Sequence, residues 1–289
     1  MSMAPNAAAL RDDPQQEFPF REKEFRFLAD LLHEKTGIVL NSSKMNMVYT
    51  RLARRLRELH LRSFAEYCDL IKGPDGEAEM GTLINALTTN LTRFFREPHH
   101  FDHVRSQVLA DFKARSAGRA GRLRIWSAGC SSGEEPYTLA MLLADELPAA
   151  LRTDAKILAT DLDTNMVATG KCGIYAAAAF EDMPRQTRDA HFDAQGTGQF
   201  TARPHLRELI TFKQLNLMDQ WPVKGPFDAI FCRNVMIYFD NPTKAELVRR
   251  FHALLAPGGF LYIGHSESLI DNKTSLTIAG RTIYRKARA

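Results

Sequence analysis

The stretch that most restricts what this chain can fold into is Leu123 to Tyr137, LRIWSAGCSSGEEPY. Its apolar run, Leu123, Ile125 and Trp126, reads as a buried strand, and Ser127 to Gly133 is a run of small residues. The acids Glu134 and Glu135 then open a helix whose buried stripe is Leu139, Leu142, Leu143 and Leu147. A strand, a glycine turn and a helix in that order predict the first unit of a nucleotide-binding α/β domain. Gly129 and Gly133 let the backbone bend tightly and let a ligand come close, where a Cβ would stand in the way. Taken alone, such a turn is either a cofactor turn or a plain strand-to-helix connection.

Its chemistry narrows the ligand. The spacing is G-x-x-x-G and not the G-x-G-x-x-G of dinucleotide enzymes, and Glu134 and Glu135 would repel a pyrophosphate. Acids at the helix start suit a ligand with hydroxyls and positive charge, such as S-adenosylmethionine with its ribose, sulfonium and ammonium. They speak against a dehydrogenase. AKILATDLD, Ala155 to Asp163, reads as the second parallel strand. Its terminal acids, Asp161 and Asp163, stand about one βα unit past the glycine turn, where an acid binds ribose hydroxyls in doubly wound domains.

The rest of the α/β core follows in order. A helix is predicted from Thr164 to about Lys171, and strands over 209–217 and 227–234, the latter near-continuously apolar as a strand buried on both faces should be. Asn241-Pro242-Thr243 is expected to cap a helix to Leu255, and Pro257-Gly258-Gly259 to turn into FLYIGHSES. The tail RTIYRKAR reads as an antiparallel edge strand. Residues 173–212 break the rhythm and read as an inserted subdomain with a small hairpin at Gly196-Thr197-Gly198.

Before this core only helices are expected, after a disordered leader over residues 1–17. Phe20, Phe25, Leu28, Leu31 and Leu32 mark a first helix stopped at Thr36-Gly37. The second runs through KMNMVYTRLARRLRELHLR, with Asn41-Ser42-Ser43 as its N-cap and Met45, Val48, Leu52, Leu56 and Leu59 on one face at about 100° per residue. Lys44, Arg51, Arg55 and Arg62 line one flank of that face, with Arg54 further round. Six bases stand here against one acid, Glu58. Such a face is either simply solvated or attracts an acidic helix or a phosphate backbone. Shorter helices are expected over 63–71 and 79–87. LTTNLTRFFREPHHF, residues 87–101, is either a capped junction or a polar wall of the ligand site. His99, His100 and His103 read without an acidic companion at helical ligand spacing, so no metal is expected.

Composition sets bounds on class. With 289 residues, 45% hydrophobic and 25% charged, the chain has the make-up of a soluble globular protein of one large domain or two. No apolar run approaches a membrane span, and no signal-peptide pattern opens the sequence. Four widely spaced cysteines, Cys68, Cys130, Cys172 and Cys232, suggest reduced thiols in a cytoplasmic protein. A net charge of +4 allows an acidic partner without requiring nucleic acid.

The segments ALTTNLTRFFREPHHF, WSAGCSSGEEPYTLA, ATDLDTNMVATGKCGIY, FDAIFCRNVMIYFD and LLAPGGFLYIGHSES closely resemble the CheR-type chemotaxis receptor methyltransferases, in the family's order and from about Phe25 onward. The resemblance implies a Rossmann-like methyltransferase domain with a small inserted β-subdomain over 173–212, preceded by an all-helical receptor-docking domain. The expected limits are 18–98 for the helical domain with its linker and 99–289 for the catalytic domain. It implies transfer of the methyl group of S-adenosylmethionine to glutamate side chains on chemoreceptor cytoplasmic helices, leaving S-adenosylhomocysteine. Carried over by position, Asn90, Thr92, Arg96, Glu135, Asp161, Asn216, Leu217, Asn234 and Val235 are the expected cofactor contacts. Arg96 and Tyr238 are expected nearest the methyl transfer, and Arg51, Arg54 and Arg55 on the helix that docks the acidic receptor segment. Some members also grip a peptide at the receptor's C-terminus through the insert; the compact hairpin here argues for an enzyme independent of it, taken as a monomer. A nucleic-acid methyltransferase would explain the basic helix, but the N-P-P-Y-type motif is missing and no aromatic residues line the basic stripe for base stacking. A binding module without activity is disfavoured because the candidate cofactor residues are all present.

Overall fold

The computed structural model describes residues 17–116, 121–269 and 274–288, so the expected leader lies outside the described residues except for Glu17. The chain divides into two compact units that part between Thr88 and Thr89.

The first unit contains α1 (Glu22–Thr36), α2 (Met45–Glu58), α3 (Phe64–Lys72) and α4 (Gly76–Leu87). Gly37 ends α1 in the left-handed conformation, φ 73°, that a glycine adopts at no steric cost. Val48, Leu52 and Leu56 of α2 are fully buried, each contributing about 1.5–3 kcal/mol by leaving water. The expected N-cap cluster instead forms a 3-10 turn, Ser42–Lys44, and α2 ends at Glu58, short of Arg62. Ser63 caps α3 by accepting the Glu66 N–H at 3.2 Å. The fourth helix starts at Gly76, earlier than the expected Glu79.

The second unit opens with an extended segment and α5 (Pro98–His103), which continues through a π-helical stretch, Val104–Val108, into α6 (Leu109–Ser116). There follow β1 (Leu123–Ala128), α7 (Glu134–Glu146), α8 (Ala149–Arg152), β2 (Ala155–Asp161) and α9 (Thr164–Cys172). The insert supplies β3 (Ile174–Ala176), α10 (Arg185–His191), β4 (Phe192–Gln195), β5 (Gln199–Ala202) and α11 (Pro204–Arg207). The core resumes with β6 (Ile210–Gln214), β7 (Phe227–Cys232), α12 (Asn241–Leu254), β8 (Leu255–Ile263), β9 (Leu276–Gly280) and β10 (Ile283–Lys286).

The main sheet has the order β6-β2-β1-β7-β8-β10-β9, and the insert forms its own antiparallel sheet, β3-β5-β4. From β6 to β8 the pairing is parallel; β10 runs antiparallel to both β8 and β9. Because β1 pairs with both β2 and β7, the strand order reverses there, and in open α/β sheets of this kind ligands bind outside the carboxyl ends of the strands at such a point. Trp126 on β1 is fully buried against Trp221, Phe227 and Phe251, and its indole N–H donates to Thr160 Oγ1 at 2.9 Å.

Further details differ from the sequence reading in this unit. The tail strand β10 is interior, and β9 is the edge. That strand went unread because only Leu276 of its five residues is buried, leaving no alternation. Asp240, not Asn241, caps α12, accepting the Thr243 N–H at 2.9 Å. Pro257-Gly258-Gly259 lies within β8, where the register with β7 shifts between Phe227 and Ala229.

Candidate active site

Three hydrogen-bond networks meet the carboxyl ends of the strands. The first is built around Asp161, the last residue of β2. Its carboxylate accepts the backbone N–H of Ser131 at 2.7 Å and of Asp163 at 2.9 Å. Asp163 caps α9 and accepts the Asn90 side-chain amide at 2.7 Å, while Ser131 Oγ donates to the Asn90 carbonyl at 3.1 Å. The extended segment before α5 is thereby fastened to the ends of β1 and β2. Burial pushes the Asp161 carboxyl up to about 6, against the pull of its backbone donors. The backbone carbonyl of Asp161 accepts from Leu215 at 2.9 Å, which brings the Asn216-Leu217 turn beside it. In that turn Asn216 Oδ1 accepts the Met218 N–H, and the Leu217 carbonyl accepts from Trp221 Nε1 and Arg250 Nη1.

The second network centres on Arg233, just past β7. Its side chain is 3% exposed and donates through Nη1 to Glu135 Oε2 at 2.9 Å and through Nη2 to the Arg96 carbonyl. Glu135 Oε1 accepts from Ser127 Oγ at 2.7 Å. The neighbouring acid turns elsewhere: Glu134 is buried, accepts from Ser132 Oγ, and has its pKa raised by that burial. Geometry therefore separates the two acids, and Glu135 is the one joined to the ends of β1 and β7. Arg96 is half-buried and donates to the Leu91 carbonyl at 2.8 Å, closing the loop that carries Thr92, itself half-buried.

Glu97 lies beside Arg233, 3.7 Å away through Oε2, and its Oε1 takes the backbone N–H and Nδ1 of His265 at 3.3 and 3.1 Å. Burial works against its ionisation, yet Arg233 and His265 hold the carboxyl below its ordinary range. Contrary to the sequence reading, the histidines do have an acidic companion: Glu97, His99 and His100 bring ligand atoms within 4.8 Å of one another. The positive charge beside that carboxylate is already the Arg233 guanidinium, and burial together with Arg233 pushes His100 down to about 3.

The third network holds the turn after β7. Asn234 is left-handed, φ 58°, and its N–H donates to Glu267 Oε2 at 3.0 Å, while Ile237 N–H reaches Oε1 at 3.1 Å and Gly264 N–H also donates to Oε2. Val235 packs on the glycine turn so closely that a Cβ at Gly129, φ 83°, would lie 2.3 Å from its Cγ2. Tyr238 ends a 3-10 turn, Met236–Tyr238, and is half-buried.

Ser127, Ser131, Arg233 and Glu267 were not among the expected site residues, and of these only Arg233, at the end of an apolar strand, carried a sequence signal. Asp163, read with Asp161 as an acid at the end of the second strand, caps α9 and holds Asn90. None of the site residues lines the cavity of about 340 Å³ among Tyr137, Lys171, Arg207 and Phe212.

The donor set is acceptor-rich, with Glu135 and Asp161 at the strand ends and one buried guanidinium nearby. Such a set fits the hydroxyls and positive charge of S-adenosylmethionine and opposes a phosphate. A model of the CheR methyltransferase SAM-binding domain matches residues 90–285, and one of the CheR methyltransferase all-alpha domain matches residues 23–88. The chain belongs to the CheR methyltransferase family. Among its relatives, a probable chemotaxis protein methyltransferase of Rhizobium etli is 44% identical over 88% of this chain and 96% of the relative. Chemotaxis protein methyltransferase 2 of Pseudomonas aeruginosa is 42% identical over 94% and 96%. The chemotaxis protein methyltransferase of Escherichia coli is 43% identical over 91% and 90%. The CheR membership makes this an S-adenosylmethionine-dependent methyltransferase, with the α/β domain and all-helical unit expected of it. Among the described residues no helix is long and apolar enough to cross a membrane.

Proposed function

We propose that this enzyme esterifies glutamate side chains on the cytoplasmic helices of chemoreceptors, as part of chemotaxis adaptation. The supporting observation is the convergence of Asn90, Arg96, Glu135 and Asp161, through two hydrogen-bond networks, on the carboxyl ends of β1, β2 and β7. S-adenosylmethionine supplies a methyl group made electrophilic by its sulfonium. In this reading Asp161 accepts from the ribose hydroxyls, Glu135 from the ammonium, and Asn90, Thr92, Asn216, Leu217, Asn234 and Val235 line the remainder. The receiving glutamate, with a pKa of about 4.3, is already an anionic nucleophile at neutral pH. No general base is needed. The protein's task is in-line placement of a carboxylate oxygen with water excluded, and good orientation alone is worth roughly 7–11 kcal/mol. Arg96 is suited to hold a carboxylate by charge-assisted bonds, and the Tyr238 hydroxyl to fix its second oxygen.

The decisive experiment is transfer of labelled methyl to a chemoreceptor cytoplasmic fragment beside its glutamate-to-alanine control. Base-labile label on the fragment and none on the control is expected; label on neither, despite cofactor binding, would point to another protein substrate. Arg96→Ala is expected to lose most turnover while the circular dichroism melt persists. Full turnover would remove Arg96 from the site.

A further inference from the structure

We propose that Arg233 is a positioning residue that fixes the Glu135 carboxylate for the cofactor, an inference that rests on the reading of Glu135 as a cofactor contact. Both oxygens of Glu135 are tied, Oε1 by the Ser127 hydroxyl at 2.7 Å and Oε2 by Arg233 Nη1 at 2.9 Å, so the carboxylate plane cannot rotate. A carboxylate has about four acceptor sites, which leaves capacity for a cation once these two are used. Arg233 is itself held from three sides. Nη2 donates to the Arg96 carbonyl and stands 3.7 Å from Glu97 Oε2, while the guanidinium lies 5.5 Å from the Phe101 ring centroid. Glu97 is anchored in turn by His265.

This chain of contacts joins the end of β7, the start of α7 and the Arg96–Glu97 turn at one planar fork. Lysine, a point charge on a flexible stem, could not engage Glu135 and the Arg96 carbonyl together in fixed geometry. A buried ion pair adds little to stability, because desolvating both charges offsets their attraction. What the pair does supply here is the orientation of Glu135.

The test is a double-mutant cycle on the full-length protein, read as the calorimetric Kd for S-adenosylmethionine. E135Q and R233M are each expected to weaken binding about 10- to 100-fold, the range of a lost charged hydrogen bond. In R233M/E135Q the second change is expected to add almost nothing, because Arg233 acts through Glu135. Losses that multiply would overturn the proposal, as would unchanged affinity in R233M alone. Unchanged affinity in E135Q would overturn the assignment of Glu135 itself and the proposal with it. If the R233M melt shows an unfolded protein, R233K enters the same cycle. It is expected to bind more weakly than wild type and to add nothing in the E135Q background; multiplying losses there would again overturn it.

Discussion

At the residue scale, Asp161 shows how a site tunes one group. Burial raises its carboxyl from an ordinary 3.8 to about 6. The folded protein therefore holds that proton more tightly than the unfolded chain, and this group's contribution to stability falls as the pH rises between those values. With Asp161 in its proposed ribose-binding role, cofactor binding is expected to have the opposite dependence, because ribose hydroxyls donate best to the ionised form. The affinity for S-adenosylmethionine is expected to fall as the pH drops through about 6, by up to tenfold per unit. Burial also raises Glu134 and Glu267. Asp161→Asn is expected to bind more weakly and to lose the component that belongs to residue 161. Calorimetry on both proteins above and below that pH checks it, and identical profiles would take Asp161 out of the site.

At the element scale, α2 carries a row of bases with different partners. Its bases are not equivalent. Arg51 donates to the Leu87 and Thr88 carbonyls at 2.8 and 2.7 Å, closing the carboxyl end of α4. Arg55 makes a two-pronged pair with the buried Glu79, at 2.8 and 2.6 Å, and Glu79 also accepts the Tyr67 hydroxyl. Arg54 is 85% exposed and, among the described residues, pairs only with Glu58 on its own helix, at 2.9 Å. Arg55→Ala would strand a buried carboxylate and is expected to cost about 2–3 kcal/mol in urea unfolding, somewhat less than a fully buried pair. Arg54→Ala is expected to leave the unfolding midpoint unchanged and to slow methylation of a receptor fragment several-fold, more at low salt than at high. Receptor methylation at the wild-type rate in Arg54→Ala would count against α2 as the docking helix.

At the scale of the whole molecule, the insert is a three-stranded sheet, β3-β5-β4, whose β4–β5 connection is a tight turn closed by Gly198 N–H to the Gln195 carbonyl at 3.3 Å. On that compactness we expect no calorimetric signal with a receptor C-terminal pentapeptide; clear micromolar binding would sink the idea. The sequence by itself determined the elements that depend on local signals. Apolar periodicity placed α1 and α2, short apolar runs placed β1, β2 and the near-continuously apolar β7, and the G-x-x-x-G turn with its acids pointed to the ligand chemistry. Motif matching named Asn90, Arg96, Glu135 and Asp161, but it could not divide the labour between Glu134 and Glu135, adjacent on a helix and pointing apart. Only the tertiary structure decided that. It also decided that Arg233 and Glu97 belong to the Glu135 network, that Glu267 clamps the Asn234 turn, and that β9 rather than β10 is the edge. Each of these is a partnership between residues far apart in the chain. It is set by which strand ends meet, and no periodicity within a single element records it.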